Sequence, residues 1–145
     1  MSDDVDRDGM QKILDMLDYS TELSEQRAEH HREMSGLLLS LLDVMDSFDR
    51  LLGEDPCAAE QGVAGTCRLI ARQLGAVLEG AGVRVVHPVG TAVDPRAHEV
   101  VGVQPAPASR GGIVLEVIRR GYEWHGRLLR PAQVIIGRSD EEDSR

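Results

Sequence analysis

Apolar positions recur every seven residues through the first third of the chain. One seam runs Met10, Leu17, Ser24, His31, Leu38, Met45 and Leu52; the other runs Ile13, Ser20, Arg27, Met34, Leu41 and Phe48. Both seams are apolar at their ends and polar from Ser20 to His31. The pattern predicts a strong helix over Ser35 to Leu52, preceded by a weak coiled coil or a frayed connection. Gly53 and Pro56 break the chain, and a second amphipathic helix is expected from about Glu60 to Ala81. Its seams are Val63, Ile70 and Val77, and Cys67, Leu74 and Ala81. Two such helices form a hairpin whose apolar face neither can bury alone. Pairing two hairpins into a dimeric four-helix bundle is the expected solution. The dimerisation residues would be Leu38, Leu41, Met45, Phe48 and Leu52 on the first helix, and Val63, Cys67, Ile70, Leu74 and Val77 on the second.

After Gly80-Ala81-Gly82 the period changes to two. Strands are expected at Val83 to Val86, His98 to Gln104, Ile113 to Ile118 and Gln133 to Gly137. The Ile113 strand is apolar on both faces at several positions, which places it at the centre of a sheet. Trp124-His125-Gly126-Arg127 reads as a tight hairpin, because Gly supplies the positive φ such a turn needs. The expected class is α+β: N-terminal helices forming a dimeric coiled coil or four-helix bundle, then a small all-β domain. The boundaries are an acidic, partly helical segment at 1–35, a helical hairpin at 36–82, a β-domain at 83–138 and a disordered acidic tail at 139–145.

Charge sharpens this division. The 145 residues carry 25 acids and 16 bases, a formal net charge of −9. Residues 1–60 hold 16 acids and 5 bases, whereas residues 61–138 hold 5 acids and 10 bases. The helical half is acidic and the β half mildly basic. An acidic chain is a poor counterion for phosphate or anionic lipid, and four aromatics cannot provide repeated base-stacking platforms. Nucleic acid and membrane are therefore not expected partners. The first residues, MSDDVDRDGM, lack the basic-then-apolar order of a signal peptide, and Cys57 and Cys67 make no disulfide framework. A cytoplasmic location is expected.

Candidate chemistry is sparse. No phosphate loop, dinucleotide fingerprint or H-E-x-x-H motif occurs. Asp94, His98 and Ser109 compose a triad only on paper, since Ser109 sits in no strained elbow. A metal or hydrolytic site would have to draw on Asp94, His98 and Cys57. His30 and His31 diverge by about 100° on a helix, which disfavours a shared metal. Cys67 on a helical seam reads as a small core residue. Asp94 before Pro95 reads as a turn cap. No enzyme activity, metal or cofactor is expected.

Three runs of residues, Leu41 to Arg50, Val93 to Val101 and Gly121 to Ile136, in that order, resemble the motifs of the GrpE family. Val93-Asp94-Pro95-Arg96-Ala97-His98-Glu99-Val100-Val101 resembles its D-P-x-x-H-E-A motif. Gly121-Tyr122, then Gly126, then Leu129-Arg130-Pro131-Ala132-Gln133-Val134-Ile135-Ile136 resembles its closing motif. Leu41-Leu42-Asp43-Val44-Met45-Asp46-Ser47-Phe48-Asp49-Arg50 is similar to the family's L-L-P-V-x-D-S-L-D-R helix, and Gln61-Gly62-Val63 to its entry into the next helix. The match covers about residues 37–138. Val93 stands where the family prefers Phe or Leu, and Val100 where it prefers Ala. The basic pair usual in the family's N-terminal helix is missing from Leu14 to Thr21, which suggests a short variant with a reduced N-terminal helix.

The resemblance implies a homodimeric co-chaperone and nucleotide exchange factor. Such a protein binds the ATPase domain of a DnaK-type chaperone and promotes ADP release during protein folding and the stress response. It also implies that the β-domain supplies the contacts: Asp94, Pro95, His98 and Glu99 from one motif, and Gly121, Tyr122, Arg127, Arg130, Pro131 and Ala132 from the other. Exposed Arg and Glu side chains are the expected direct contacts. The alternative is a GrpE-like adaptor that binds the chaperone without exchange activity.

Overall fold

The computed structural model describes residues 2–53 and 62–139. Pro56, Cys57, the expected start of the second helix at Glu60 and all but Ser139 of the tail lie outside them. A first helix, α1, runs without interruption over Ser2–Leu52. The polar middle that favours a frayed connection is helical too. The hydroxyls of Ser20 and Thr21 both donate to the Leu17 carbonyl, and Ser24 donates to that of Ser20. These residues thus satisfy their polar groups on the helix's own backbone.

The second helix, α2, spans Val63–Gly80. Gly62 precedes it at φ 82°. At the other end the Gly82 N–H donates to Glu79 O at 2.9 Å, with Gly82 at φ 90°. That left-handed glycine ends the helix. On α1, Leu38, Leu42 and Met45 are buried. The Met45 methyl comes within 4.0 Å of where a Cβ on Gly75 of α2 would sit, so a small residue there admits it closely. Leu41, Phe48 and Leu52 are half-buried, as are Cys67 and Leu74 on α2.

Leu38 and Met45 are thus already covered within a single chain, and the exposed apolar series on α1 is one residue over, at Leu37, Val44 and Leu51. On α2 the exposed series is Val63, Ile70 and Val77. A seven-residue spacing marks a stripe without saying which of two adjacent stripes is inside.

The described residues after α2 form six strands in two three-stranded sheets, with one 3-10 turn at Ala108–Arg110. They are β1 (Val83–Val86), β2 (His98–Pro105), β3 (Val114–Arg119), β4 (Gly121–Trp124), β5 (Arg127–Arg130) and β6 (Ala132–Arg138). One sheet has the antiparallel order β1-β4-β5. In the other, β6 lies between β2, which is parallel to it, and β3, which is antiparallel. Among the named strands β6 holds the centre and β3, expected there, is an edge, although its start at Ile113 and Val114 is also flanked by backbone bonds to Gly90, Thr91 and Ala92. Apolar residues on both faces of a strand report cover on both faces, not partners along both edges. The core of this sheet joins Val114, Ala132 and Val134, with Val93, Val117 and Ile136 packed around them. α+β is the observed class.

The chain passes between the sheets three times, and two of these passages, β3 to β4 and β5 to β6, touch. Arg120 separates β3 from β4, and Pro131 separates β5 from β6. A Cβ on Gly121 would lie 2.5 Å from the Ala132 nitrogen, so only glycine permits this crossing. Pro131 lacks a donor and stands where no ladder bond is made.

Candidate functional site

The first motif folds into a closed loop ahead of β2. The Asp94 carbonyl accepts from the N–H groups of Ala97 at 3.0 Å and His98 at 2.8 Å. The Asp94 carboxylate accepts from the Arg96 N–H at 2.9 Å, the Asx turn expected of an acid before proline. In return the Asp94 N–H donates to Nδ1 of His98 at 2.9 Å, which places the imidazole proton on Nε2. The bond joining these residues thus runs from main chain to imidazole, not from imidazole to carboxylate as a catalytic relay requires. Ala97 O accepts from the Ala132 N–H at 3.0 Å, and His98 pairs with Ala132 in the β2–β6 register. The two motifs are thereby brought side by side. Asp94, Pro95 and Glu99 are exposed and His98 is half-buried. Glu99 accepts from Gln133 Nε2 at 3.2 Å on the neighbouring strand.

The second motif divides into a buried base and an exposed tip. Gly121, Tyr122 and Ala132 are buried, and Pro131 is half-buried. The tip is the β4–β5 turn, with His125 at φ 49° and Gly126 at φ 77°, the left-handed pair of a two-residue hairpin. Arg127 opens β5 beside it and is exposed. Trp124, paired with Arg127 across the ladder, donates from Nε1 to the Ala81 carbonyl at 3.0 Å, tying the hairpin to the end of α2.

Arg130 departs from the expectation of an exposed contact. It is 8% exposed and its guanidinium is fully engaged. Nε donates to the Arg120 carbonyl at 2.9 Å, while Nη1 and Nη2 donate to the two oxygens of Asp46 on α1 at 2.8 and 2.5 Å. The guanidinium carbon lies 5.2 Å from the centre of the Tyr122 ring. Asp46 also accepts from Arg119 Nε at 2.8 Å. Burial by itself would raise the Asp46 carboxyl, but the hydrogen bonds and charges of Arg130 and Arg119 outweigh it and hold the group below its usual range. Arg119 is raised in turn, chiefly by its hydrogen bond to Asp46. Burial also raises the Tyr122 hydroxyl. Beside these ion pairs an open cleft of about 940 Å³ runs between the end of α1 and β3, lined by Asp43, Ser47 and Arg50 on one side and Val117, Ile118 and Gln133 on the other.

Among the described residues no group of three or more His, Cys, Asp or Glu is placed to hold a metal ion. No described helix is long and apolar enough to cross a membrane. Asp46 is not among the residues expected at the site, although it stands in the helix motif that carries the resemblance. Its partner lies 84 residues away, and only a shared position in the two motifs would have hinted at the pair.

A GrpE family sequence model matches residues 7–138. The chain is 38% identical over 115 residues to a protein named Protein GrpE from Natronomonas pharaonis, covering 78% of this chain and 51% of that one. Protein GrpE from a strain of Thermus thermophilus is 33% identical over 133 residues, covering 91% and 73% respectively. Protein GrpE from Thermotoga petrophila is 38% identical over 102 residues, covering 69% and 56%. The chain thus spans from about half to about three-quarters of the length of these relatives. With a family match over most of its length and the two β-domain motifs folded against each other, the chain belongs to the GrpE family.

Proposed function

We propose that this chain is a co-chaperone that binds the ATPase domain of a DnaK-type chaperone and promotes ADP release in protein folding and the stress response. The observation that carries the reading is the family match over residues 7–138, which spans both β-domain motifs and the helices before them. The proposed direct contacts are the exposed members of those motifs: Asp94, Pro95, Glu99 and Arg127. His98, Gly121, Tyr122, Pro131 and Ala132 would shape the surface behind them. The protein is not an enzyme in this reading and takes no cofactor, and its proposed location is the cytoplasm.

We further propose a homodimer joined through residues 36–82. The exposed series Val63, Ile70 and Val77, with Leu37, Val44 and Leu51, supports this. Isolated apolar residues on a surface need no explanation, but two heptad series on adjacent helices do.

Exchange in this sense is coupling between two binding sites. If the factor weakens ADP binding a hundredfold, it must prefer the ADP-free chaperone by about 2.7 kcal/mol, and ADP must weaken factor binding by the same ratio. Titration of the factor against the chaperone ATPase domain, with and without saturating ADP, tests this. Equal penalties in both directions are expected. Binding that ignores ADP would instead make the protein an adaptor without exchange activity.

A further inference from the structure

Three arginines of the β-domain meet three aspartates on one face of α1. Asp43, Asp46 and Asp49 follow one another at three-residue spacing. Arg119 bonds Asp43 at 2.9 Å and Asp46 at 2.8 Å, Arg120 reaches Asp49 at 3.4 Å, and Arg130 grips Asp46 on both oxygens. The outer pairs are exposed, and exposed pairs contribute little. The central one is different: the Arg130 side chain is 9% exposed and that of Asp46 16%.

Arg130 is also fixed within its own domain. It stands where the chain passes between the two sheets, with Nε on the Arg120 carbonyl across that passage and its cationic end against the Tyr122 ring. Only its outward edge is left for α1, and two parallel N–H···O bonds on one carboxylate restrict rotation as well as distance. A residue locked to the β-domain thus holds a residue locked to the helix through a planar, directional contact.

We propose that the Asp46–Arg130 pair is the joint that sets the angle of the β-domain on the last turns of α1, and that Asp46 is thereby a positioning residue for exchange. The second half rests on the function proposed above. A domain that pushes a cleft open delivers force only when its own mounting does not yield. Loosening the joint should therefore leave the contact surface intact while reducing what binding accomplishes.

Two measurements on the 145-residue chain test the proposal, with Cys57 and Cys67 replaced by serine for labelling. In the first, spin labels at Ser40 and Gln104 report the distance between α1 and β2. The parent should give one narrow distribution, Asp46→Ala and Arg130→Lys broad ones, and Asp46→Glu a narrow one again. Trp124 fluorescence checks that each variant is folded. Unchanged distributions in both folded variants would overturn the joint. In the second, ADP release is followed against factor concentration. Asp46→Ala should lower the saturating rate by about tenfold or more while the half-saturating concentration stays within about threefold, and Asp46→Glu should recover it. A loss confined to affinity would overturn the positioning role. A parent protein that joins its domains rigidly yet never accelerates ADP release would sink the exchange reading while leaving the joint in place.

Discussion

Gly121 and Ala132 touch where the chain crosses between the two sheets, and each is the first residue of its strand. A Cβ on Gly121 would meet both the nitrogen and Cα of Ala132, at 2.5 and 2.9 Å. Both are backbone atoms in a packed interior, so they cannot swing aside. Gly121→Ala should therefore destabilise the β-domain by about 1–3 kcal/mol, the usual cost of forcing atoms into a filled site. Urea unfolding followed by Trp124 fluorescence checks this, and a midpoint equal to the parent's would show that the crossing tolerates a side chain.

The Gly82–His125 contact makes a comparable case at the other end of the domain. Gly82 has φ 90°, and a Cβ there would lie 2.6 Å from the His125 ring. Gly82→Ala should cost more than Trp124→Phe, which keeps an aromatic ring beside His125 but removes the hydrogen bond to Ala81 O, worth about 1 kcal/mol. Thermal unfolding by circular dichroism orders the two variants. The reverse order would mean that the indole, not the glycine, holds the hairpin to α2.

Much of this architecture is legible in the sequence. The heptads locate both helices, the change to period two locates the β half, and His125-Gly126 fixes the hairpin. Sheet order is not legible, because the alternation around Ile113 reports burial of faces while edge pairing depends on partners far along the chain. The site shows the same division. Arg127 and Arg130 stand three residues apart in one basic motif, yet one is exposed at a turn and the other buried against Asp46. Nothing local distinguishes them. Asp94 is the opposite case, since an acid before proline bonds to the backbone two residues on and its turn can be read directly.

Acid should weaken the link between helix and β-domain. Asp46 has its carboxyl lowered from the ordinary 3.8, so its contribution is fully present above that value and fades as pH falls through the lower folded value. Stability of the parent should fall more steeply below about pH 4 than that of Asp46→Asn, whose side chain does not titrate there. Denaturant midpoints measured from pH 6 down to 2 make the comparison. Parallel curves would show that the carboxylate contributes nothing to the pH dependence.

The exposed series on α2 predicts the assembly. Ile70→Glu places a charge in the middle of the proposed interface, where burying it without a partner is costly. Sedimentation should show a dimer for the parent and a monomer for the variant at micromolar concentration. A dimer that survives Ile70→Glu and Val77→Glu together would place the interface elsewhere.

The exchange role is tested by release of a labelled ADP from the DnaK-type chaperone of the same genome, timed after mixing with this protein. Acceleration that saturates with factor concentration is expected. Arg127→Ala should require about tenfold more factor, because it removes an exposed charge from the proposed contact. Release at the spontaneous rate, from a folded factor that is bound to the chaperone, would contradict the exchange role.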